Sequence, residues 1–261
     1  MSADVVLGAA SGMGTAVARR LASSSERLLL ADLQVDALER LARDLDGDVE
    51  VHRCDLTEAS DLEALASATG ELGRLVLTAG LSPTMAPGRR IFEVDIIGPA
   101  RLLQTFEPLA VEGSVAVLVA SMAGHLLSPM EEIDRIVEDP LVPSLLDDLA
   151  AAGTDVDEPG TAYSMAKAAL IGLVRRSAPA WGARGARIVS LSPGIIDTPM
   201  GRREFEAQTV MADFVAGSPL GRMIDAEEVA AVVEFLASPQ ASAITGTDVL
   251  VDGGAVATII G

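Results

Sequence analysis

The sequence predicts an α/β fold, a doubly wound parallel sheet with helices on both faces. The first observation behind this prediction is that short apolar runs alternate with longer amphipathic stretches along the 261 residues. Such alternation is typical of parallel strands joined by right-handed helical crossovers. The second is that most of the apolar runs are nearly continuous Val, Leu, Ile and Ala, as in strands that are buried on both faces.

Seven of these runs are strand candidates, so we expect a seven-stranded sheet. In chain order they are Ala3–Leu7, Arg27–Ala31, Val49–Arg53, Arg74–Leu77, Ser114–Ala120, Arg187–Leu191 and Asp248–Val251. The stretches between them with helical periodicity are Thr15–Ser23, Val35–Asp44, Asp61–Thr69, Ile91–Leu109, Tyr163–Trp181 and Ala226–Leu236. Neither an internal repeat nor a low-complexity linker interrupts this order, so we expect residues 1–261 to form a single domain.

Composition excludes several classes of partner. The net charge of −19 argues against nucleic acid and anionic membranes, because both bind basic surfaces. Cys54 is the only cysteine, and the two histidines, His52 and His125, lack metal-ligand spacing, so we expect no disulfide, no metal and a reducing, cytoplasmic location. We expect no signal peptide, because Val5-Val6-Leu7 already has the pattern of a strand and the basic start and apolar core of a leader are missing. Residues 113–130 carry no formal charge, but Gly, Ser and Pro interrupt them, so we expect a buried strand and loop there, not a membrane span.

The first strand leads into Gly8-Ala9-Ala10-Ser11-Gly12-Met13-Gly14 and then into a helix. Glycine allows a tight turn and a close approach of the backbone to a pyrophosphate, while the helix N-terminus supplies amide donors and a positive dipole. The spacing is Gly-x-x-x-Gly-x-Gly, and many ordinary loops also need glycine. Its position between the first strand and the first helix favours a nucleotide-binding loop, which makes the predicted fold Rossmann-type.

Two acidic residues follow the next strands. Asp32 comes roughly 20 residues after the Gly-rich loop, where an acid accepts hydrogen bonds from an adenosine ribose. A carboxylate repels a 2′-phosphate, and no Arg or Lys lies in the loop or directly after Asp32, so we expect NAD and not NADP. The alternative is that Asp32 only caps the next helix. Asp55 is equally consistent with adenine binding and with capping the helix that begins near Glu58.

Further polar segments end strands at the same edge of the predicted sheet, where ligands bind in open α/β folds. Thr78-Ala79-Gly80 follows the fourth strand and Ser121 follows the fifth, although a serine there is often a simple turn or cap residue. The sixth strand leads into Ser192-Pro193-Gly194 and then Ile195-Ile196-Asp197-Thr198-Pro199. Two prolines and a glycine predict a fixed loop.

Tyr163 and Lys167 lie four residues apart in a predicted helix, so their side chains share one face. A Tyr has an ordinary pKa of about 10, and a neighbouring cation lowers that pKa. The pair is therefore a candidate proton donor and acceptor. A lone Tyr-x-x-x-Lys is common by chance, in which case Tyr163 only packs and Lys167 is a solvated charge. Tyr163, however, is the only Tyr in the chain.

In order and spacing, these motifs resemble those of the short-chain dehydrogenase/reductase family from Gly8 to Gly254. They are the Gly-rich loop, Asp32, Cys54-Asp55-Leu56, Thr78-Ala79-Gly80, Ser121, Tyr163 with Lys167, Pro193-Gly194 with Thr198, and Asp252-Gly253-Gly254. Within the family, residues 162–200 are most similar to bacterial 3α-hydroxysteroid dehydrogenase/carbonyl reductase enzymes.

The resemblance implies an NAD-dependent oxidoreductase that interconverts a secondary alcohol and a ketone on an apolar cyclic or steroid-like substrate. Tyr163 would exchange the proton with the substrate oxygen, Lys167 would lower its pKa and bind the nicotinamide ribose, and Ser121 would bind the carbonyl. The implied cofactor-binding residues are Gly8, Ser11, Gly12, Met13, Gly14, Asp32, Asp55, Leu56, Ala79, Gly80, Tyr163, Lys167, Pro193, Gly194, Ile196 and Thr198. The alternatives are the same chemistry on another carbonyl compound, or a dinucleotide-sensing regulator without turnover.

Asp95 stands where the family usually has Asn, which helps to hold a water next to the Lys. We count Asp95 among the catalytic candidates, because it either keeps the helix distortion of the family or pairs with Lys167 and weakens the effect of that cation on Tyr163. Pro179 predicts a kink, or a helix end near Ser177, because an interior Pro costs about 3 kcal/mol or more.

Two segments remain. The insertion at about 125–160 resembles that of the hydroxysteroid dehydrogenase subgroup, and Met130–Ala152 predicts two short helices split by Pro140 and Pro143. Three interpretations of the insertion are open: a solvated acidic loop, a wall of the substrate cleft, or an obstacle to the helix pair that the family often uses to form tetramers. We expect a homodimer, with a tetramer as the alternative. Residues 200–223 have apolar side chains that suggest a lid over the substrate, or simple packing.

Overall fold

The computed structural model describes residues 2–128, 130–207 and 209–260. Within these residues, seven strands form one parallel sheet in the order β3-β2-β1-β4-β5-β6-β9. The strands are β1 (Ala3–Leu7), β2 (Leu28–Asp32), β3 (Val49–Arg53), β4 (Leu72–Leu77), β5 (Ala110–Val119), β6 (Arg187–Pro193) and β9 (Asp248–Val251), with a separate pair of short strands, β7 (Ile196–Asp197) and β8 (Ile224–Asp225). The predicted fold class is confirmed.

Helices cover both faces of the sheet. The main ones are α1 (Gly12–Ala22), α2 (Val35–Arg43), α3 (Ala59–Thr69), α4 (Gly88–Phe92), α5 (Gly98–Phe106), α8 (Pro159–Gly182) and α11 (Ala226–Leu236). The shorter ones are α6 (Glu131–Ile136), α7 (Leu145–Ala151), α9 (Pro199–Ala207), α10 (Thr209–Gly217) and α12 (Ala255–Ile260). In the described ranges, no helix is both long and apolar enough to cross a bilayer.

The core lies in two layers, one on each face of the sheet. Val5 and Leu7 of β1 belong to one buried cluster, whereas Val6 between them belongs to the other. This is the alternation expected of a strand, whose successive side chains point to opposite faces. Because both sets are apolar, the strand has no solvent-facing side, which explains its continuous run of apolar residues.

The helix predicted over Ile91–Leu109 is instead four consecutive helical pieces. Between α4 and α5 the chain forms a π-helical turn, Glu93–Ile97, and a 3₁₀ turn, Glu107–Leu109, follows α5. Single π-turns inside longer helices occur often at functional sites. Here the π-turn carries Asp95, so the expected helix distortion is present.

Pro179 does not end its helix, so the expected helix end near Ser177 is wrong. α8 continues to Gly182, and the amide of Ala183 donates to the carbonyl of Pro179 over 3.0 Å. Trp181, the second-last residue of this helix, is only 1% exposed. Burial of this large side chain stabilises the last turn and offsets the loss of the hydrogen bond that Pro179 cannot donate. The kink stays a prediction.

The insertion forms two short helices, α6 and α7, on either side of Pro140 and Pro143, as expected. Its apolar residues are not solvated, because Ile133, Val137, Leu145 and Leu149 are all buried in the core layer that also contains the inner face of α8. The acidic residues of the insertion lie mostly on its exposed side. The interpretation as a solvated loop is therefore wrong.

Candidate active site

The loops at the carboxyl edge of the sheet surround a cavity of roughly 180 Å³. Its lining brings together ten of the residues and loop positions singled out from the sequence: Met13, Thr78, Gly80, Ser121, Tyr163, Lys167, Pro193, Gly194, Ile196 and Thr198. The remaining wall is largely apolar and contains Leu81, Met122, Leu126, Met200, Met211 and Phe214. No residue of α6 or α7 is among the described lining residues, so the two helices of the insertion do not line this cavity, whereas Leu126, at the start of the insertion, does.

The Gly-rich turn after β1 leaves no room for a side chain at three of its glycines. Gly8 has φ +97°, a left-handed conformation that favours glycine. A Cβ on Gly14 would collide with the carbonyl oxygen of Gly8, and one on Gly12 would lie 2.7 Å from Thr198 Cγ2. Only glycine allows the loop to pack this tightly.

The turn ends at the N-terminus of α1. Ser11 is the N-cap residue, but its side chain makes no capping hydrogen bond. The first amides of a helix lack intrahelical partners, so those of α1 are left for an anion such as a pyrophosphate. These features fit a dinucleotide.

Asp32 is tied to the Gly-rich loop. Its Oδ2 accepts a hydrogen bond from the Ala10 amide at 3.1 Å, and its Oδ1 accepts one from the Gln34 amide, also at 3.1 Å. The N-cap of α2 is Gln34 and not Asp32. The carboxylate therefore lies at the end of β2 beside the nucleotide loop and does not cap the next helix.

Asp55 does not cap its helix either, since α3 begins at Ala59 with Glu58 as its N-cap. Its Oδ1 accepts hydrogen bonds from the amide and the hydroxyl of Thr57, at 2.9 and 2.7 Å. Partial burial opposes ionisation, but these two donors hold the pKa of Asp55 below its ordinary value. The group is an anchored, ionised acceptor at the end of β3.

Tyr163 and Lys167 face the cavity from one side of α8. Lys167 Nζ lies 5.6 Å from the centroid of the Tyr163 ring, and the Lys167 side chain is buried. Ser121 follows β5 and is buried as well, with its Oγ accepting the Ala123 amide at 3.2 Å. Three side chains from a strand end and a helix thus converge on one cavity.

Asp95 is paired with Lys167. Its Oδ2 lies 3.1 Å from Lys167 Nζ, and its Oδ1 accepts the Leu81 amide at 2.8 Å. Oδ2 accepts no well-aligned hydrogen bond, so the contact with the ammonium is an ion pair held by charge. Lys167 Nζ also donates to the Val119 carbonyl at 3.4 Å. Both sequence-based alternatives for Asp95, the helix distortion and the ion pair, therefore occur together.

These neighbours set the proton affinities of the site. Burial raises the pKa of Tyr163 above its ordinary value; Lys167 and then Ser121 lower it, while Asp95 and Glu204 raise it further. Lys167 thus lowers the pKa of Tyr163, as the sequence predicted, but desolvation of the phenolate outweighs this attraction and the net shift is upward. Although burial acts against the charged ammonium, Asp95 raises the pKa of Lys167.

Two residues of the cavity wall were not singled out from the sequence. Met200 and Glu204 lie one turn apart on α9, and Glu204 places a carboxylate in the cavity. Their spacing of four residues, directly after the Pro199 loop, is the signal that would have found them. Among the apolar side chains of the segment 200–223, suggested above as a lid, Met200, Met211 and Phe214 line the cavity, whereas Phe205, Val210 and Val215 do not.

The fold and the site define a dinucleotide-binding oxidoreductase. A family model described as enoyl-(acyl carrier protein) reductase matches residues 8–135 and 149–256. The chain is 33% identical to the short-chain dehydrogenase/reductase bsc3 of Alternaria brassicicola, covering 97% of this chain and 95% of that protein. It therefore belongs to the short-chain dehydrogenase/reductase family, whose members are oxidoreductases of alcohols and ketones.

Two further proteins named for steroids are similar to this chain, one in sequence and one in fold alone. The chain is 28% identical to a 3-alpha-hydroxysteroid dehydrogenase/carbonyl reductase of Comamonas testosteroni, over 97% of this chain and 96% of that protein. Its fold matches that of 7α-hydroxysteroid dehydrogenase complexed with NADH and 7-oxo glycochenodeoxycholic acid, with a TM-score of 0.76, 24% identity, and coverage of 97% and 93% of the two chains.

Proposed function

We propose that the protein is an NAD-dependent enzyme that interconverts a secondary alcohol and a ketone on an apolar cyclic or steroid-like substrate. The observation that carries this proposal is the convergence of Ser121, Tyr163 and Lys167 on one largely apolar cavity. The steroid named for the relative that is 28% identical supports a cyclic substrate.

In the oxidative direction, the substrate hydroxyl loses its proton to the Tyr163 phenolate while its carbon loses a hydride. Ser121 donates a hydrogen bond to the same oxygen and so fixes its position. Lys167 stabilises the phenolate by charge. In the reductive direction the Tyr163 hydroxyl returns the proton. The nicotinamide, when bound, accepts or supplies the hydride, and the protein orients it.

For the cofactor, we assign the pyrophosphate to the amides at the start of α1 and the adenosine ribose to Asp32. Asp55 and Leu56 would hold the adenine, and the loop from Pro193 to Thr198 would hold the nicotinamide. Asp32 favours NAD because its charge repels a 2′-phosphate. Arg53 lies opposite Asp32 on the neighbouring strand β3, but its side chain forms an ion pair with Asp61 at 2.7 Å. Asp32 is therefore the dominant charge near the ribose position.

A non-catalytic dinucleotide sensor is the second candidate. The buried ion pair between Asp95 and Lys167 favours it, because this pairing reduces the attraction of the cation for the Tyr163 phenolate. The deciding experiment measures reduction of NAD and NADP by a panel of cyclic secondary alcohols, with wild-type protein and Tyr163→Phe. Turnover that disappears in the variant supports the enzyme; cofactor binding without any turnover supports the sensor.

We also propose a single-domain, cytoplasmic homodimer. The insertion packs against α8, where Arg176 Nη2 donates to the Val137 carbonyl at 3.2 Å, and there it would cover a face used for further association. Light scattering should give a mass of twice 26.9 kDa. A tetrameric mass would contradict the proposed blocking role of the insertion.

A further inference from the structure

Glu204 places one carboxylate in an otherwise largely apolar part of the cavity wall. It lies on α9 and shares the cavity with Ser121 and Tyr163, and its neighbours in the wall include Met211 and Phe214. Its Oε1 is buried and accepts no hydrogen bond from any residue that the structure describes.

Two cations of this region have other partners. Arg202, on the same helix, is paired with Asp197. Lys167 is the only Lys in the chain, and it is paired with Asp95. The charge of Glu204 nevertheless reaches the catalytic group, since it contributes to the raised pKa of Tyr163. Glu204 thus lines the same cavity as Tyr163 and has one carboxylate oxygen that no donor among the described residues satisfies.

A buried acceptor without a donor is unfavourable, and such groups in native proteins call for a partner. An ionised carboxylate only accepts hydrogen bonds. A substrate hydroxyl can provide the missing donor, whereas a hydrocarbon cannot, and a substrate carboxylate would be repelled.

We propose that Glu204 is a specificity-determining residue that accepts a hydrogen bond from a second hydroxyl group of the substrate. The preferred substrates are then cyclic diols or hydroxyketones, in which one oxygen meets Ser121 and Tyr163 and the other meets Glu204. This inference rests on the proposed function, because it assumes that the reacting alcohol occupies the same cavity. It replaces a purely apolar substrate by an apolar ring with two polar ends.

The effect should be sizeable but not absolute. A hydrogen bond to a charged group contributes about 10-fold to 100-fold in affinity. Because it is made to a part of the substrate that does not react, it is present equally in the ground state and the transition state, and its loss should appear mainly in KM.

The test compares kcat and KM for matched pairs of cyclic alcohols with NAD. Each pair has a monohydroxy ring and the corresponding diol, with the second hydroxyl at increasing distance: cyclohexanol against cyclohexane-1,2-, 1,3- and 1,4-diol, and a steroid alcohol against a steroid diol. 4-Hydroxycyclohexanecarboxylate probes the repulsion. The variants are Glu204→Leu and Glu204→Gln, with Glu206→Gln as the control, since Glu206 is on the same helix but exposed.

The expected result is that wild-type protein and Glu206→Gln prefer one of the diols by about 10-fold or more in kcat/KM. Glu204→Leu should lose this preference through a higher KM for the diol, so that the ratio of kcat/KM between the diol and the monohydroxy ring falls towards one. Glu204→Gln should retain part of the preference, because its amide oxygen still accepts a hydrogen bond, and should tolerate the carboxylate substrate better.

Two failures can be told apart. If no ring alcohol is oxidised, or if oxidation survives Tyr163→Phe, the proposed function fails and the inference fails with it. If ring alcohols are oxidised with dependence on Tyr163, but the ratio of diol to monohydroxy substrate is the same in wild type, Glu204→Leu and Glu204→Gln, only the role of Glu204 is overturned.

Discussion

The two ends of the candidate site hold their carboxylates in different ways. At the nucleotide end, Asp32 and Asp55 accept hydrogen bonds from amides within a few residues or in the adjoining loop. At the catalytic end, Asp95 faces Lys167 from a distant part of the chain, and both side chains are buried. Amide donors hold the carboxylates in place at the first end, whereas at the second the balance of burial against opposite charge decides the protonation of the site.

The difference predicts how each end of the site responds to a substitution. The nucleotide end depends on backbone shape, so a substitution there should weaken cofactor binding without altering the chemistry. The catalytic end depends on charges in a low-dielectric setting, so a substitution there should alter turnover and its pH dependence while the cofactor still binds. Four variants test this division, and they follow from the largest expected effect to the smallest.

Replacing Tyr163 by Phe should break the catalytic end alone. Loss of the proton donor and acceptor should reduce kcat by about 10²-fold to 10⁴-fold. NADH affinity, measured by fluorescence of the bound nicotinamide, should change little, because Asp32 and the Gly-rich loop are intact. Retention of wild-type turnover would exclude Tyr163 as the acid and base.

Replacing Gly14 by Ala should break the nucleotide end alone. The added methyl group would collide with the Gly8 carbonyl, and overpacking of this kind costs about 1–3 kcal/mol, so NADH should bind about 10-fold or more weakly. Gly217→Ala is the matched control, because nothing lies within 4 Å of its added Cβ. Equal NADH affinity in the two variants would show that the loop does not hold the cofactor.

Replacing Asp32 by Asn should sharpen the assignment of the cofactor. Removing the negative charge should weaken NADH binding and strengthen NADPH binding, so the NADH-to-NADPH preference should fall about 10-fold, in line with the value of a charge-assisted hydrogen bond. Asp36→Asn removes the same charge from an exposed position on α2 and should leave the preference unchanged. A preference that is unaffected by Asp32→Asn would assign the ribose to another residue.

Replacing Asp95 by Asn tests the electrostatics of the catalytic end. The Asp95 charge raises the pKa of Tyr163, so its removal should lower that pKa, and Lys167 should act on the phenolate more strongly. Oxidation needs the Tyr163 phenolate, so the pH profile of oxidation should shift to lower pH. At pH values below the pKa of Tyr163 in the wild type, turnover should rise a few-fold, where each tenfold change in rate corresponds to about 1.4 kcal/mol.

Direct titration is available for this test. Tyr163 is the only Tyr in the chain, so ultraviolet difference absorbance follows its ionisation alone. Thermal unfolding should be measured beside it, because Lys167 loses a buried partner in the variant. Turnover below that of wild type, with the fold intact, would show that the Asp95 carboxylate contributes to the reaction and is not merely a tolerated substitute for Asn.

Much of the fold followed from local patterns. The limits of β1, β3 and β9 agree with the apolar runs that predicted them, because each run ends at polar or turn-forming residues. The helix through Pro179 did not follow. Local propensity predicts an end before this residue, but burial of Trp181 in the core stabilises the final turn, and sequence spacing does not contain that contact.

By itself the sequence determined the parallel sheet, the Gly-rich turn and the set of residues that meet at the carboxyl edge, because strand polarity and the 3.6-residue helical repeat fix where side chains point. Only the tertiary structure decided the electrostatics. Asp95 lies on a π-turn and pairs with Lys167, and Glu204 lines the same cavity as Tyr163 with an oxygen that has no donor among the described residues. Both arrangements depend on the packing of distant segments. The free energy of a charge depends on its burial and its neighbours, and neither is a local property of the chain.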